Sequence, residues 1–153
     1  MEFEEISAES TFQLGRSLGR LLKGGEIITL NGDLGTGKTE FTKGIAAGLD
    51  INDYIVSPTF TILNEYEGRL KLNHFDVYRV YDPMEIKSIG FDEYIFGDGV
   101  SVIEWSDLIE DIIPDNIIDV RLYKDLSKGL DYRKITIENS EKRLNLKELL
   151  WEF

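Results

Sequence analysis

Apolar positions recur along the chain in two rhythms, one helical and one of strands. Leu14, Leu18, Leu21 and Leu22 fall at helical spacing. Ser10, with Gln13 three residues on, reads as a capping box opening that helix, and Gly24-Gly25 stops it. Ile27-Ile28-Thr29-Leu30 is a short apolar run with β-branched residues, the pattern of a buried strand. A second helix is predicted after Gly37, with Phe41 and Ile45 four apart and Gly48 near its end. The middle turns to β-structure, where Thr59–Tyr66 and Leu70–Tyr78 flank Glu67-Gly68-Arg69 as a hairpin. Short helices are expected over Pro83–Ser88 and Asp92–Phe96, then a buried strand over Val100–Glu104. Ser106 is expected to cap a helix that ends before Pro114. Ile118, Val120 and Leu122 alternate with Asp119 and Arg121, and Arg133–Glu138 alternates likewise, with Lys128-Gly129 between the two strands. Leu146, Leu149, Leu150 and Phe153 share one face of a short final helix. Strand, helix and crossover in front with hairpins behind predict an α/β layer fold on a mixed sheet.

Composition narrows the classes. The 153 residues fit one domain with a single core, spanning 1–153. The absence of cysteine removes disulfides, Cys-based metal sites and Cys nucleophiles. A net charge of −12 repels a phosphate backbone, so direct binding of DNA or RNA is not expected. Any nucleic-acid role would run through a partner; the same acidity also aids solubility. Apolar runs are far short of a membrane span. The start, Met1-Glu2-Phe3-Glu4-Glu5, lacks the basic and apolar regions of a signal peptide, so a cytoplasmic location is expected.

The chemistry lies between the first strand and the second helix. Gly32-Asp33-Leu34-Gly35-Thr36-Gly37-Lys38-Thr39 matches the G-x-x-x-x-G-K-[ST] P-loop in full. Glycines let the backbone curl so that its N–H groups point into one hollow. The helix that follows aims the positive end of its dipole at the same place. Lys38 is placed to reach the β- and γ-phosphates, and the Thr39 hydroxyl to bind Mg²⁺. The chain has neither an Asn-Lys-x-Asp tetrad nor an Asp-x-x-Gly of the GTPase kind, which leaves ATP as the expected nucleotide.

A P-loop needs a carboxylate at the end of a neighbouring strand to hold the metal. Glu104 closes Val100-Ser101-Val102-Ile103, and Asp76 shares a period-two face with His74 and Tyr78; spacing alone leaves open which touches the metal. His74, the only histidine, reads as structural, and Trp105 and Tyr78 as packing. Arg79 is open between a phosphate, a partner and plain surface. A Thr in Ser57-Pro58-Thr59-Phe60 suits either a γ-phosphate sensor or a turn before a strand.

An ordered set of motifs is more specific than the P-loop alone. Gly-Asp-Leu-Gly-Thr-Gly-Lys-Thr at 32–39 is followed by Ser-Pro-Thr-Phe-Thr at 57–61 and Asn64-Glu65-Tyr66. Then come His74-x-Asp76-x-Tyr78-Arg79, Gly90-Phe91-x-Glu93-Tyr94 and Ile103-Glu104-Trp105. Together they resemble the TsaE (YjeE) family of small bacterial P-loop ATPases, from about Thr11 to beyond Ile137. The resemblance implies a P-loop NTPase fold, a mixed central sheet flanked by helices. It implies a weak ATPase that serves formation of N6-threonylcarbamoyladenosine (t6A) at position 37 of tRNAs reading codons that begin with A. TsaD and TsaB are the implied partners, with tRNA met only through them. By position, Thr39 and Glu104 are the implied magnesium ligands and Asp76 a Walker-B-like acid needed for hydrolysis. Thr11 and Arg133 fall where family members approach the nucleotide. Glu40 departs from the commoner Gly-Lys-Thr-Thr continuation, at a position that should face away from the phosphates.

The P-loop and the resemblance together imply Lys38, Asp76 and Glu104 as catalytic, Thr11, Gly32–Thr39 and Arg133 for ATP, and Thr39 with Glu104 for Mg²⁺. Two rivals share the P-loop: a small-molecule or nucleoside kinase, and an interaction domain that binds nucleotide without turnover. A kinase of this size usually carries an Arg-rich lid late in the chain, whereas Arg121, Arg133 and Arg143 are scattered.

Overall fold

The computed structural model describes residues 1–4, 7–58, 60–80, 82–140 and 144–149. Seven strands form one mixed sheet: β1 (Glu2–Glu4), β2 (Ile27–Asn31), β3 (Leu63–Tyr66), β4 (Leu72–Asp76), β5 (Val100–Glu104), β6 (Ile118–Lys124) and β7 (Arg133–Asn139). Their order is β1-β7-β6-β2-β5-β4-β3. β6, β2, β5 and β4 run parallel, while β1, β7 and β3 are antiparallel to their neighbours. β2, β4 and β5 are buried at every position, as parallel strands covered on both faces must be. In β6 burial alternates, which matches the apolar/polar alternation of its sequence.

Among the described residues four α-helices flank the sheet: α1 (Ala8–Leu21), α2 (Lys38–Gly48), α3 (Pro83–Ser88) and α4 (Phe91–Ile95). α1 and α2 cover one face, where Leu14, Leu18, Phe41 and Ile45 join Ile28, Leu30, Val102 and Val120 in the larger core. α3 and α4 cover part of the other face, with Ile86, Phe91 and Ile95 packed on Phe75 and Ile103. α1 and α2 approach closely because glycines face each other. A Cβ on Gly15 would lie 2.3 Å from the carbonyl oxygen of Phe41, and one on Gly44 2.1 Å from that of Phe12. The α2 helix, and the loop that opens it, are therefore fixed against α1 by main-chain contact. Among the described residues no helix is long and apolar enough to cross a membrane.

Several boundaries differ from the sequence expectation. Ser7, not Ser10, caps α1: its side chain accepts from the Ser10 amide, and Gln13 donates to Glu9 rather than back to the cap. The acidic start contains a strand, with Phe3 buried opposite Ile135, a pattern too short to read in sequence. The hairpin strands are shorter than predicted: residues 60–62 form a turn, so the first begins only at Leu63, and the second runs Leu72–Asp76 rather than Leu70–Tyr78. Ser106 opens a 3₁₀ segment, Ser106–Ile112, but does not cap it; its hydroxyl accepts from Asn31 Nδ2 at 2.8 Å. At the C-terminus Leu146–Glu148 is a 3₁₀ turn, and the rest of the expected last helix, with Leu150 and Phe153, lies outside the described residues.

Candidate functional site

The loop between β2 and α2 lies at the carboxyl edge of the parallel strands, where open α/β sheets hold their ligands. Gly35 (φ 79°) and Gly37 (φ 105°) take left-handed conformations, which a Cβ would strain, and so turn the backbone around a hollow. Thr36 is buried and donates its hydroxyl to the Asp33 carbonyl at 2.7 Å, closing the loop on itself. Lys38 opens α2, which puts the start of an 11-residue helix against the hollow.

A cleft of about 580 Å³ stands over this loop, lined by Gly35, Gly37, Lys38 and Thr39 on one side and Asp76, Glu104 and Trp105 on the other. Parallel pairing sets Asp76 directly beside Glu104, at the ends of β4 and β5. The spacing in sequence could not choose between these acids, and the fold brings both to the cleft. Asp76 accepts from the Ser57 hydroxyl at 3.1 Å and from the Tyr78 amide at 3.0 Å. Glu104 is buried and bonds His74 Nε2 at 2.6 Å. His74 thus has a role the sequence left as structural: it orients a strand-end carboxylate, as partners behind metal ligands do. Among the described residues neither acid pairs with a lysine or arginine within 4 Å. Two carboxylates with spare lone pairs and the Thr39 hydroxyl make an all-oxygen donor set, which fits a hard cation such as Mg²⁺.

Lys38 is buried, and its ammonium donates to the carbonyls of Gly32 and of Asp33, the latter at 3.1 Å. It also sits 4.2 Å from the centre of the Trp105 ring, a cation–π contact. Burial pushes its pKa below the ordinary 10.5, against the opposing pull of Glu104, Asp76 and Asp33. Trp105 and Tyr78, read from sequence as packing, both face the cleft, with ring centroids 4.7 Å apart. Arg79 lines the cleft too, its guanidinium 4.7 Å from the centre of the Phe60 ring. Thr59 lies outside the described residues.

The remaining nominated residues stand around the loop. Leu34 lines the cleft, and so does Glu40, which was expected to face away from it, while Gly32 and Asp33 wall an adjoining hollow of about 390 Å³ instead. Thr11 is buried beneath Gly37, its methyl 3.5 Å from where a Cβ on that glycine would be. Arg133 donates to the Gly35 carbonyl at 3.1 Å. Neither Thr11 nor Arg133 forms part of the cleft wall. Sequence reasoning missed Lys124, which donates to the Leu34 carbonyl at 2.9 Å. It closes an alternating strand like any surface lysine, and only the tertiary fold carries it to the loop.

Comparison with known proteins bears on the same stretch of chain. The family model described as "Threonylcarbamoyl adenosine biosynthesis protein TsaE" matches residues 6–135. The Bacillus subtilis protein named "tRNA threonylcarbamoyladenosine biosynthesis protein TsaE" is 42% identical over 137 residues, covering 89% of this chain and 84% of its own length. The Treponema pallidum protein of the same name is 44% identical over 116 residues, 76% of this chain and 86% of its own. In structure the chain is similar to crystalline Bacillus subtilis YdiB, with a TM-score of 0.78 at 37% identity over 92% of this chain and 85% of that one.

Proposed function

Because this chain belongs to the TsaE family, we propose that it is an ATP-binding, slowly ATP-hydrolysing subunit that serves tRNA threonylcarbamoyladenosine biosynthesis. It acts with TsaD and TsaB counterparts in the cytoplasm and meets tRNA only through them. Its net charge of −12 suits a subunit that docks on proteins and leaves RNA to others. One observation carries the ATP reading: the left-handed loop at Gly35 and Gly37 opens into a cleft that also holds Lys38, Thr39, Asp76 and Glu104.

In this reading the main-chain amides of Gly32–Thr39 cradle the triphosphate. Lys38 exchanges its carbonyl partners, Gly32 and Asp33, for β- and γ-phosphate oxygens, and the nearby anion favours its charged form. Thr39 and Glu104 would hold Mg²⁺, with His74 fixing the Glu104 carboxylate. The ion, when bound, neutralises charge on the phosphates. Asp76, held at both oxygens by Ser57 and Tyr78, orders the attacking water. Thr11 supports the loop from below and Arg133 from outside.

Turnover by the chain alone is slow. Arg79, the arginine on the cleft wall, rests on Phe60. A missing arginine finger costs about 10³–10⁵ in rate. The partner interface completes the site. Phosphate release from Mg-ATP, with and without the TsaB and TsaD counterparts, tests this. Slow turnover that rises clearly with the partners is expected; turnover that the partners leave unchanged would overturn the assignment.

A further inference from the structure

Two cations at the end of the β6–β7 pair reach the phosphate loop from outside. Lys124 Nζ donates to the Leu34 carbonyl at 2.9 Å, and Arg133 Nη2 to the Gly35 carbonyl at 3.1 Å. The two residues are direct cross-strand partners, Lys124 opposite Arg133. Like charges at one cross-strand position repel and ordinarily destabilise a pair. Here each is drawn to a successive carbonyl of the same loop. Arg133 is further fixed by the Leu130 and Tyr132 carbonyls. Lys124 also adds to the positive field at Lys38, whose charged form it disfavours.

We propose that Lys124 is a positioning residue for the phosphate cradle, one arm of a two-cation clamp that holds the 34–36 backbone in its anion-binding form. The inference rests on the nucleotide reading given above. The physical reason lies in the peptide units. A carbonyl and the amide that follows it belong to one planar group, so a cation on the Leu34 oxygen fixes the direction of the Gly35 N–H. It also polarises that group and makes the N–H a better donor. Arg133 fixes the next unit, Gly35–Thr36, whose N–H donates to the Asp33 carbonyl at 3.3 Å and so braces the turn. Gly35 needs such a restraint, because at φ 79° it has no side chain to limit its rotation. A loop held in its bound form before the ligand arrives loses less entropy on binding. Lys124 therefore acts on ground-state affinity and leaves the chemical step alone.

The test has two arms on the full chain. Equilibrium titration with fluorescent ADP is expected to give about fivefold weaker binding for Lys124→Ala, with Lys124→Arg restoring it. In the TsaB- and TsaD-supported reaction the same variant should raise KM and leave kcat within about twofold. Hydrogen exchange without nucleotide should show faster exchange over residues 33–37 in Lys124→Ala, reversed in Lys124→Arg. Lys128→Ala is the charge control: it removes a cation from the same hairpin that rests on Tyr132 instead of the loop. Equal weakening by Lys128→Ala would overturn the inference in favour of a general field effect. Unchanged loop exchange and unchanged ADP affinity in Lys124→Ala would overturn it as well. A wild-type chain that binds no ADP would instead overturn the nucleotide reading, and loop exchange would then decide the clamp.

Discussion

At the amino edge of the parallel strands charged side chains are tied to the main chain. Arg69, from the β3–β4 turn, donates to the Leu22 and Gly19 carbonyls at 2.9 Å and to Gly48 at 3.3 Å, and so closes the ends of both α1 and α2. Glu26 accepts the amides of Lys23 and Gly24 with its two oxygens, at 2.8 and 2.7 Å. At the carboxyl edge the charges retain capacity. Asp76 and Glu104 stand side by side without a lysine or arginine partner among the described residues, and Lys38 is held by carbonyls and an aromatic ring. A carboxylate that accepts two main-chain amides is committed to the fold. One that lines an open cleft, as Asp76 and Glu104 do, is available to a ligand even where it also accepts from its neighbours, at a cost in stability that the rest of the core offsets.

The largest expected effect breaks the carboxyl edge without touching the fold. Lys38→Ala and Asp76→Ala should each lower ATP turnover in the full assembly by about 10²–10³-fold. Far-UV circular dichroism should be unchanged. Wild-type turnover in either variant would refute the roles given to these residues. At the opposite edge Arg69→Ala should cost about 2–3 kcal/mol of stability in urea unfolding, because it frees three helix-end carbonyls at once. Nucleotide affinity should stay within about twofold, and a selective loss of affinity would blur the contrast between the edges. Glu26→Gln, which keeps the shape but one good acceptor fewer, should cost about 1–2 kcal/mol.

The smallest effect concerns a saturated pair on the carboxyl rim. Arg121 donates to both Asp107 oxygens at 2.8 and 2.9 Å and to Asp119 at 3.0 Å. The Arg121 guanidinium holds the Asp107 carboxyl below its ordinary 3.8. An acid lowered in the folded state contributes stability above its unfolded pKa and loses it as pH falls through the lower folded value. Asp107→Asn should therefore reduce the unfolding temperature slightly at pH 7, and the difference should shrink as pH falls below the ordinary 3.8 and through the lower folded value. Both side chains are largely exposed, so the effect is small. A difference that persists in acid would mean that Asp107 contributes packing rather than charge.

Much of this molecule is written in local pattern. The P-loop is contiguous, and its glycines, lysine and threonine state their chemistry without reference to the rest of the chain. The buried runs at β2 and β5, the leucine stripe of α1 and the alternation of β6 and β7 carry their periods openly, because each depends on which face is covered. The ordered motifs from Gly32 to Trp105 carry the family resemblance in the sequence itself.

Other features depend on residues distant in sequence. That Asp76 and Glu104 reach one cleft follows from the parallel register that sets them side by side. His74 became the partner of Glu104 through the same pairing, 30 residues away in the chain. The Ser7 cap displaced Ser10 because the helix starts at Ala8, three residues before a Ser10 cap would start it. Gly15 and Gly44 are ordinary helix interruptions until the two helices meet at main-chain distance. Lys124, 90 residues from Leu34, reaches the phosphate loop only when β6 lies beside β2. A sequence declares groups that act through their own backbone neighbours. Groups that act through space are decided by register and packing, which depend on the whole sheet.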